Sequence, residues 1–355
     1  MLPNGPWLPP YLPTTVVGSY SVPGWLERLK TEFYQRRISA QHLTEIYEVA
    51  IKAAVKDQEV AGIDIVSDGE LRRDNDIDYF LARMPGVRIA QRAKADYYDY
   101  YEASVAAPLP EDDDDSLLGL AADFSFTRAL TCKPIKFSFT GPFSLSRRVS
   151  GSGYADRADL VRALARRLNR EARSLAAAGA TLLQIDEPFL AGYPEQAALA
   201  VEAVNIVTDG VPAAWALHVC YGNRYARPSW EGHYDFLFPA VLAARVDQLV
   251  LEFARKGLDD LRLIGQYSWP GSLGFGVIDV KSAAVEPADL VAARIRRALE
   301  YVPPERLVIN PDCGLRHLAP EVARRKLHAM VAGAAIVRQE CGLAEAPAAA
   351  GRQGS

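Results

Sequence analysis

Short runs rich in Val, Ile and Leu recur along the chain between longer stretches whose apolar residues fall three and four apart. In order, the short runs are TTVVGS, IDIVSDGE, IKFSFTGP, TLLQIDEP, LHVC, QLVLEFA, FGVIDV and LVINPDC, which makes eight candidate strands. Near-continuous apolar runs of this length suit strands covered on both faces, and the longer stretches suit amphipathic helices. ADLVRALARRLNREARSLAAAG is the plainest of these helices, with Gly179 placed as its C-terminal stop. Strand, helix, strand in repetition implies parallel pairing through right-handed crossovers, and eight such units predict an α/β fold, a single (β/α)8 TIM barrel. The competing open, doubly wound sheet needs a Gly-rich turn after its first strand, and VVGSYSVPGW does not supply one.

The spacing breaks once, between Met84 and Leu130, where YYDYYEA precedes PLPEDDDDSLLG. This predicts an insertion after strand 2, at about 85–130, in the form of a hairpin with Asp112 to Asp115 as a solvated turn; a calcium loop would need spaced acidic ligands and a glycine. The barrel is expected over 1–341, and GLAEAPAAAGRQGS, residues 342–355, reads as a disordered tail.

Composition narrows the function. At 355 residues and 49% hydrophobic, the chain can bury a large core. A net charge of -4, with Lys and Arg scattered, gives no basic track for a phosphate backbone, so nucleic acid is not an expected partner. MLPNGPWLPPYLP has no basic residue ahead of a long apolar run, and no stretch is long enough to cross a bilayer, so the expectation is a cytoplasmic protein without a membrane partner. Cysteines at 132, 220, 313 and 341 make no disulfide framework and are either buried hydrophobes or ligands.

In a parallel barrel the reactive groups come from the C-terminal strand ends and the loops after them. The polar residues closing the eight runs are Ser19; Asp68 and Glu70; Thr140; Asp186 and Glu187; His218 and Cys220; Glu252; Asp279 and Lys281; Asp312 and Cys313. Polar strand ends can simply meet water, but acids and thiols are costly to desolvate unless paired, protonated or bound to a cation. His218 and Cys220, two apart on a strand, leave the same face. With Cys313 from strand eight and Glu252 from strand six they make two thiolates, an imidazole and a carboxylate, a set that suits zinc, although residue types alone leave iron and cobalt open. Structural zinc usually draws on close-set pairs such as C-x2-C, whereas these ligands come from three separate strands and point to a reactive site. Cys132 is expected in the core at the entry to strand three, and Cys341 in the tail helix. His42 and His328 read as helix residues, and His233 and His317 as residues bordering the site. Arg72 and Arg73 could meet a substrate carboxylate or pair with Asp74 or Asp76.

Taken together, VVGSY, SDGELRRDN, FTGPFSL, QIDEP, LHVCYGN, LEFARKG, GVIDVKS and INPDCGL resemble, in one register from about Thr14 to Arg338, the catalytic half of cobalamin-independent methionine synthase. The resemblance implies a zinc barrel that activates the thiol of homocysteine for methylation to methionine, with His218, Cys220, Glu252 and Cys313 as zinc ligands; no side chain is assigned as acid or base. It implies further that Glu70 and Asp186 hold the substrate's amino group, and that Val17, Gly18 and Ser19 hold its carboxylate.

Three departures concern the methyl donor. Arg148 stands where folate-using members have a tryptophan, Gly192 where they have an acid, and Lys281 where they have the histidine expected to protonate the folate leaving group. The pattern resembles short single-barrel members for which a methyl-corrinoid protein is a plausible donor, since cob(I)alamin leaves without a proton. Lys281 is then available as an ion-pair partner for a neighbouring rim carboxylate. The alternatives are a methylated folate donor, another thiol such as coenzyme M attacking an epoxide, and a non-catalytic zinc- or corrinoid-binding barrel.

Overall fold

The computed structural model describes residues 11–90, 98–110 and 118–343. The acidic turn expected at Asp112 to Asp115 and the tail beyond Leu343 lie outside them. The strands are β1 (Val87–Ile89), β2 (Ala103–Val105), β3 (Phe137–Thr140), β4 (Val149–Ser150), β5 (Leu182–Asp186), β6 (Ala214–Val219), β7 (Gln248–Leu251), β8 (Ser272–Ile278) and β9 (Leu307–Pro311). Six of them form one parallel sheet in the order β3-β5-β6-β7-β8-β9. Every residue of β3, β7 and β9 is buried, including the polar Ser138, Thr140, Gln248 and Asn310, which fits a sheet covered on both faces.

Helices cover the outer face. The helix Arg157–Ala177 buries a stripe that includes Leu160, Leu164, Leu168 and Leu175, and Asp156 caps it by accepting the Asp159 N–H at 2.8 Å. Gly179 follows with a φ of 96°, as the stop signal required. No helix among the described residues is long and apolar enough to cross a membrane.

The first two predicted strands form only isolated parallel bridges. Thr14 bridges to Ile309 of β9, Thr15 to Ile65, and Val66 to Ile135 just ahead of β3. Side chains take over bonds that a longer ladder would make: Asp64 accepts from the Thr14 N–H at 2.8 Å, and Gln58 Oε1 accepts the Ser67 N–H at 2.9 Å. Ser67 Oγ in turn donates to the Gly18 carbonyl at 3.0 Å.

Between Met84 and Leu130, β1 pairs antiparallel with β2, which also pairs parallel with β4 beyond that stretch. The sequence showed no helix in this stretch, yet Leu120–Arg128 is one, and its Phe124 packs edge-on against Phe137 of β3 with ring centroids 6.1 Å apart. Cys132 corrects another expectation: it is exposed, because Thr131 to Lys133 form the turn into β3 and the strand itself begins later.

Candidate active site

The strand register brings four positions into line: Thr140 of β3 faces Asp186 of β5, Asp186 faces His218 of β6, and His218 faces Val250 of β7. Cys220, Glu252 and Cys313 follow the ends of β6, β7 and β9. The sheet therefore delivers its polar strand ends to one rim, where a cavity of about 660 Å³ is lined by Val17, Gly18, Ser19, Glu70, Asp186 and the His218–Cys220–Cys313 group.

His218, Cys220 and Cys313 offer ligand atoms that all lie within 4.8 Å of one another. Cys313 Sγ is 3.7 Å from Cys220 Sγ and 3.7 Å from His218 Nε2. Two thiolates each about 2.3 Å from a tetrahedral zinc would be about 3.8 Å apart, so the spacing fits that ion. His218 Nδ1 lies 3.1 Å from the Val250 carbonyl, which can only accept; the proton therefore belongs on Nδ1, and Nε2 is the atom offered to the sulfurs. The hydrogen bond between Cys220 and Cys313 and the contact with His218 hold the Cys313 thiol well below its ordinary range, whereas the same bond and burial push Cys220 up. Burial pulls His218 down, but the neighbouring Cys313 and Asp186 outweigh it and leave the ring raised.

Glu252 does not join this close group. It is fully buried, and both its oxygens engage Lys281 Nζ, at 3.0 and 3.1 Å, while Oε1 also accepts the Tyr221 N–H at 3.0 Å. Burial pushes its carboxyl up to about 7, with Lys281 opposing the shift. The ion-pair role read for Lys281 from the sequence is therefore filled, and its partner is the expected fourth ligand. Asp312 shapes the same loop: its carboxylate accepts the N–H groups of Phe253, Ala254 and Arg255 at 2.8 to 2.9 Å, clamping the turn that follows Glu252.

Across the cavity, Glu70 sits on a strained backbone with φ 56°. Its Oε1 accepts from Ser138 Oγ at 2.6 Å and pairs with Arg73 at 3.0 Å. A Cβ on Gly18 would fall 2.5 Å from that same oxygen, so this turn needs glycine for close approach, not for a positive φ. Asp186 is held by Gln184 Nε2 at 2.7 Å, and burial raises its carboxyl to about 7. The carbonyls of Val17 and Ser19 accept from Gln184 Nε2 and the Leu315 N–H, both at 2.7 Å, which fixes the turn beside the two acids.

The remaining sequence candidates fall in several places. Glu187 is fully buried and accepts the Phe143 and Ser144 N–H groups at the start of the helix Pro142–Ser146, a helix-capping role. Arg72 pairs with Asp123 and Arg73 with Glu70, instead of with Asp74 or Asp76, because the loop turns both guanidinium groups inward toward the sheet and the helix Leu120–Arg128. His317 lines the cavity, with burial depressing its ring to about 4, so it is neutral at physiological pH. His233 pairs with Asp260 and lies away from the cavity. His42 and His328 are exposed on helices.

Sequence reasoning missed the aromatic wall of the cavity. Tyr98 and Tyr100 come from the tyrosine-rich run of the expected insertion, whose density of aromatic residues is the available signal. Arg148 lies 4.4 Å and Arg224 4.5 Å from the Tyr100 ring centroid. Trp230 packs edge-on against Phe189 with centroids 5.6 Å apart. A Cβ on Gly192 would overlap the Trp230 indole, so the tryptophan occupies the space that a side chain at 192 would need.

Residues 12–336 match the family model described as cobalamin-independent synthase, catalytic domain. A methionine synthase of Saccharolobus islandicus is 36% identical over 333 residues, covering 93% of this chain and 96% of that protein. A methionine synthase of Thermococcus kodakarensis is 35% identical over 332 residues, covering 93% and 95%. Among solved structures, a B12-independent methionine synthase from Shewanella sp. W3-18-1, in complex with selenomethionine, superposes with a TM-score of 0.80 at 28% identity over 93% of this chain and 99% of that one.

Proposed function

The chain belongs to the cobalamin-independent methionine synthase family, and from that premise we propose that it transfers a methyl group to the thiol of homocysteine at a zinc site. That it is a methyltransferase follows from the family itself. The observation that carries the rest is the convergence of two sets of groups on one cavity: two sulfurs and an imidazole, and two carboxylates, Glu70 and Asp186, the second of which is paired in register with His218. We read the fold as a closed eight-stranded barrel spanning 1–341 with an insertion at 85–130. The isolated bridges from β9 through Thr14, Thr15, Ile65 and Val66 to the start of β3 support that closure.

In this reading His218, Cys220 and Cys313 hold the zinc and Glu252 is the candidate fourth ligand. Zinc bound there would supply the positive charge that ionises a thiol whose ordinary pKa is about 8.5. The residues do the remainder. Glu70 and Asp186 take the substrate's ammonium, which compensates the charge that burial disfavours on Asp186. Gln184 ties Asp186 to the Val17 carbonyl, so the ammonium and carboxylate subsites move as one body. The Val17–Gly18–Ser19 turn is assigned to the carboxylate, and with both ends of the amino acid fixed the thiol is directed toward the cysteines. No side chain is assigned as general acid or base.

For the donor, a methyl-corrinoid protein is favoured over a methylated folate. Three residues support this: Trp230 fills the space beside Gly192 where the folate-using pattern has an acid, Arg148 lies over Tyr100 where that pattern has a tryptophan, and Lys281 is committed to Glu252 where that pattern has a proton donor. The test is methyl transfer to homocysteine by zinc-loaded protein with methylcobalamin and with methyltetrahydrofolate in parallel. Turnover with the folate alone would overturn the donor assignment, and turnover of coenzyme M but not homocysteine would overturn the acceptor.

A further inference from the structure

Lys281 and Glu252 form an ion pair with almost no solvent contact: the lysine side chain is 4% exposed and the glutamate 0%. The pair is bidentate in the sense that one ammonium reaches both carboxylate oxygens, and the backbone on each side is pinned. The Lys281 N–H donates to Asp279 Oδ1 at 2.8 Å, while Asp312 clamps the loop after Glu252. His218, Cys220 and Cys313 meanwhile form a compact trio without Glu252. A metal with four protein ligands is coordinatively closed, and one that activates a substrate must keep a position open.

We propose that Lys281 competes with the metal for Glu252, so that this carboxylate is a weak, exchangeable fourth ligand and the thiol's coordination position stays available. The inference rests on the zinc reading above and deepens it. Lys281 is a positioning residue here, since it acts through Glu252. Without its ammonium partner Glu252 keeps only Arg255, whose Nε lies 4.0 Å from Oε2, and a buried carboxylate so weakly compensated takes up a further cation or a proton. Removing the lysine charge therefore hands Glu252 to the metal and tightens the site, the reverse of what losing a merely structural contact would do.

Zinc affinity of the full chain, measured with Zn2+ alone by chelator competition in the absence of homocysteine, tests this without reference to turnover. Lys281→Met is expected to lower the zinc Kd by about tenfold or more, in the range that residues behind metal ligands usually command. The gain should vanish in Lys281→Met/Glu252→Gln, whose Kd should match Glu252→Gln alone, and Lys281→Arg should stay near wild type. An unchanged or higher Kd in Lys281→Met, or a gain that survives the Glu252→Gln background, overturns the proposal. If Lys281→Met does not fold, Lys281→Gln gives the same neutralisation with a polar head. Wild-type protein that takes up no stoichiometric zinc would instead overturn the metal reading, and this inference with it.

Discussion

Ser138 Oγ donates to Glu70 Oε1 at 2.6 Å, so a serine on β3 fixes a carboxylate that lies 68 residues earlier in the chain. Arg73 adds an ion pair to the same oxygen, and Gly18 leaves it room. A carboxylate so placed is prepared for an ammonium group. Glu70→Gln is therefore expected to raise the KM for homocysteine about 10- to 100-fold, the loss of one or two charge-assisted hydrogen bonds. The same substitution should leave KM for 4-mercaptobutyrate, which has the thiol but no amino group, near its wild-type value. Equal losses with both thiols would show that Glu70 acts on the fold and not on the ammonium.

The 3.7 Å between the sulfurs of Cys220 and Cys313 carries the metal assignment. Cys220→Ser and Cys313→Ser should each reduce bound zinc from stoichiometric to a small fraction by metal analysis, and abolish thiol methylation, with the unfolding midpoint of the metal-free forms little changed. Retention of zinc and activity in both variants would remove the site.

Gly192 has no room for a side chain because of Trp230. Gly192→Ala should displace the indole at a stability cost of about 1–3 kcal/mol, as overpacking usually does. Steady-state kinetics should show a raised KM for the methyl donor, while zinc affinity and the KM for homocysteine hold. Trp230→Phe in the same chain should recover much of the loss. A rise confined to homocysteine would place the pair on the wrong half of the cavity.

Lys136, two residues before Ser138, is fully buried, and its Nζ has no hydrogen-bond partner among the described residues. Burial lowers its pKa to about 7, opposed by Asp186 and Glu70. Between about pH 7 and 10 the unfolded chain then binds a proton at this residue that the folded chain does not, so folded-state stability from this group rises with pH across that window. Wild type should gain up to about 1.4 kcal/mol per pH unit relative to Lys136→Met in urea unfolding, the limit for one proton. Parallel pH profiles for the two proteins would refute the neutral buried amine.

The sheet strands from IKFSFTGP to LVINPDC were legible because burial on both faces leaves a continuous apolar signal that needs no tertiary knowledge. TTVVGS and IDIVSDGE read the same way but pair only at isolated bridges, because Gln58 and Asp64 bond to backbone there, and nothing in the local pattern announces it. Leu120–Arg128 went unread as a helix: it is short, and it follows an acidic run that obscures its start.

The sequence by itself determined which side chains reach the rim, since strand period and polar strand ends are local properties; His218, Cys220, Cys313, Glu70 and Asp186 all follow from them. Only the tertiary structure decided their partners. In the sequence Glu252 is equivalent to the other candidate ligands; in the structure Lys281, from the next strand end, holds both its oxygens. Gly192 looked like a missing acid until Trp230, from a loop beyond β6, was found in the vacant space. Which buried charges pair, and which voids fill, depends on loops tens of residues apart meeting in three dimensions, and no local periodicity encodes that meeting.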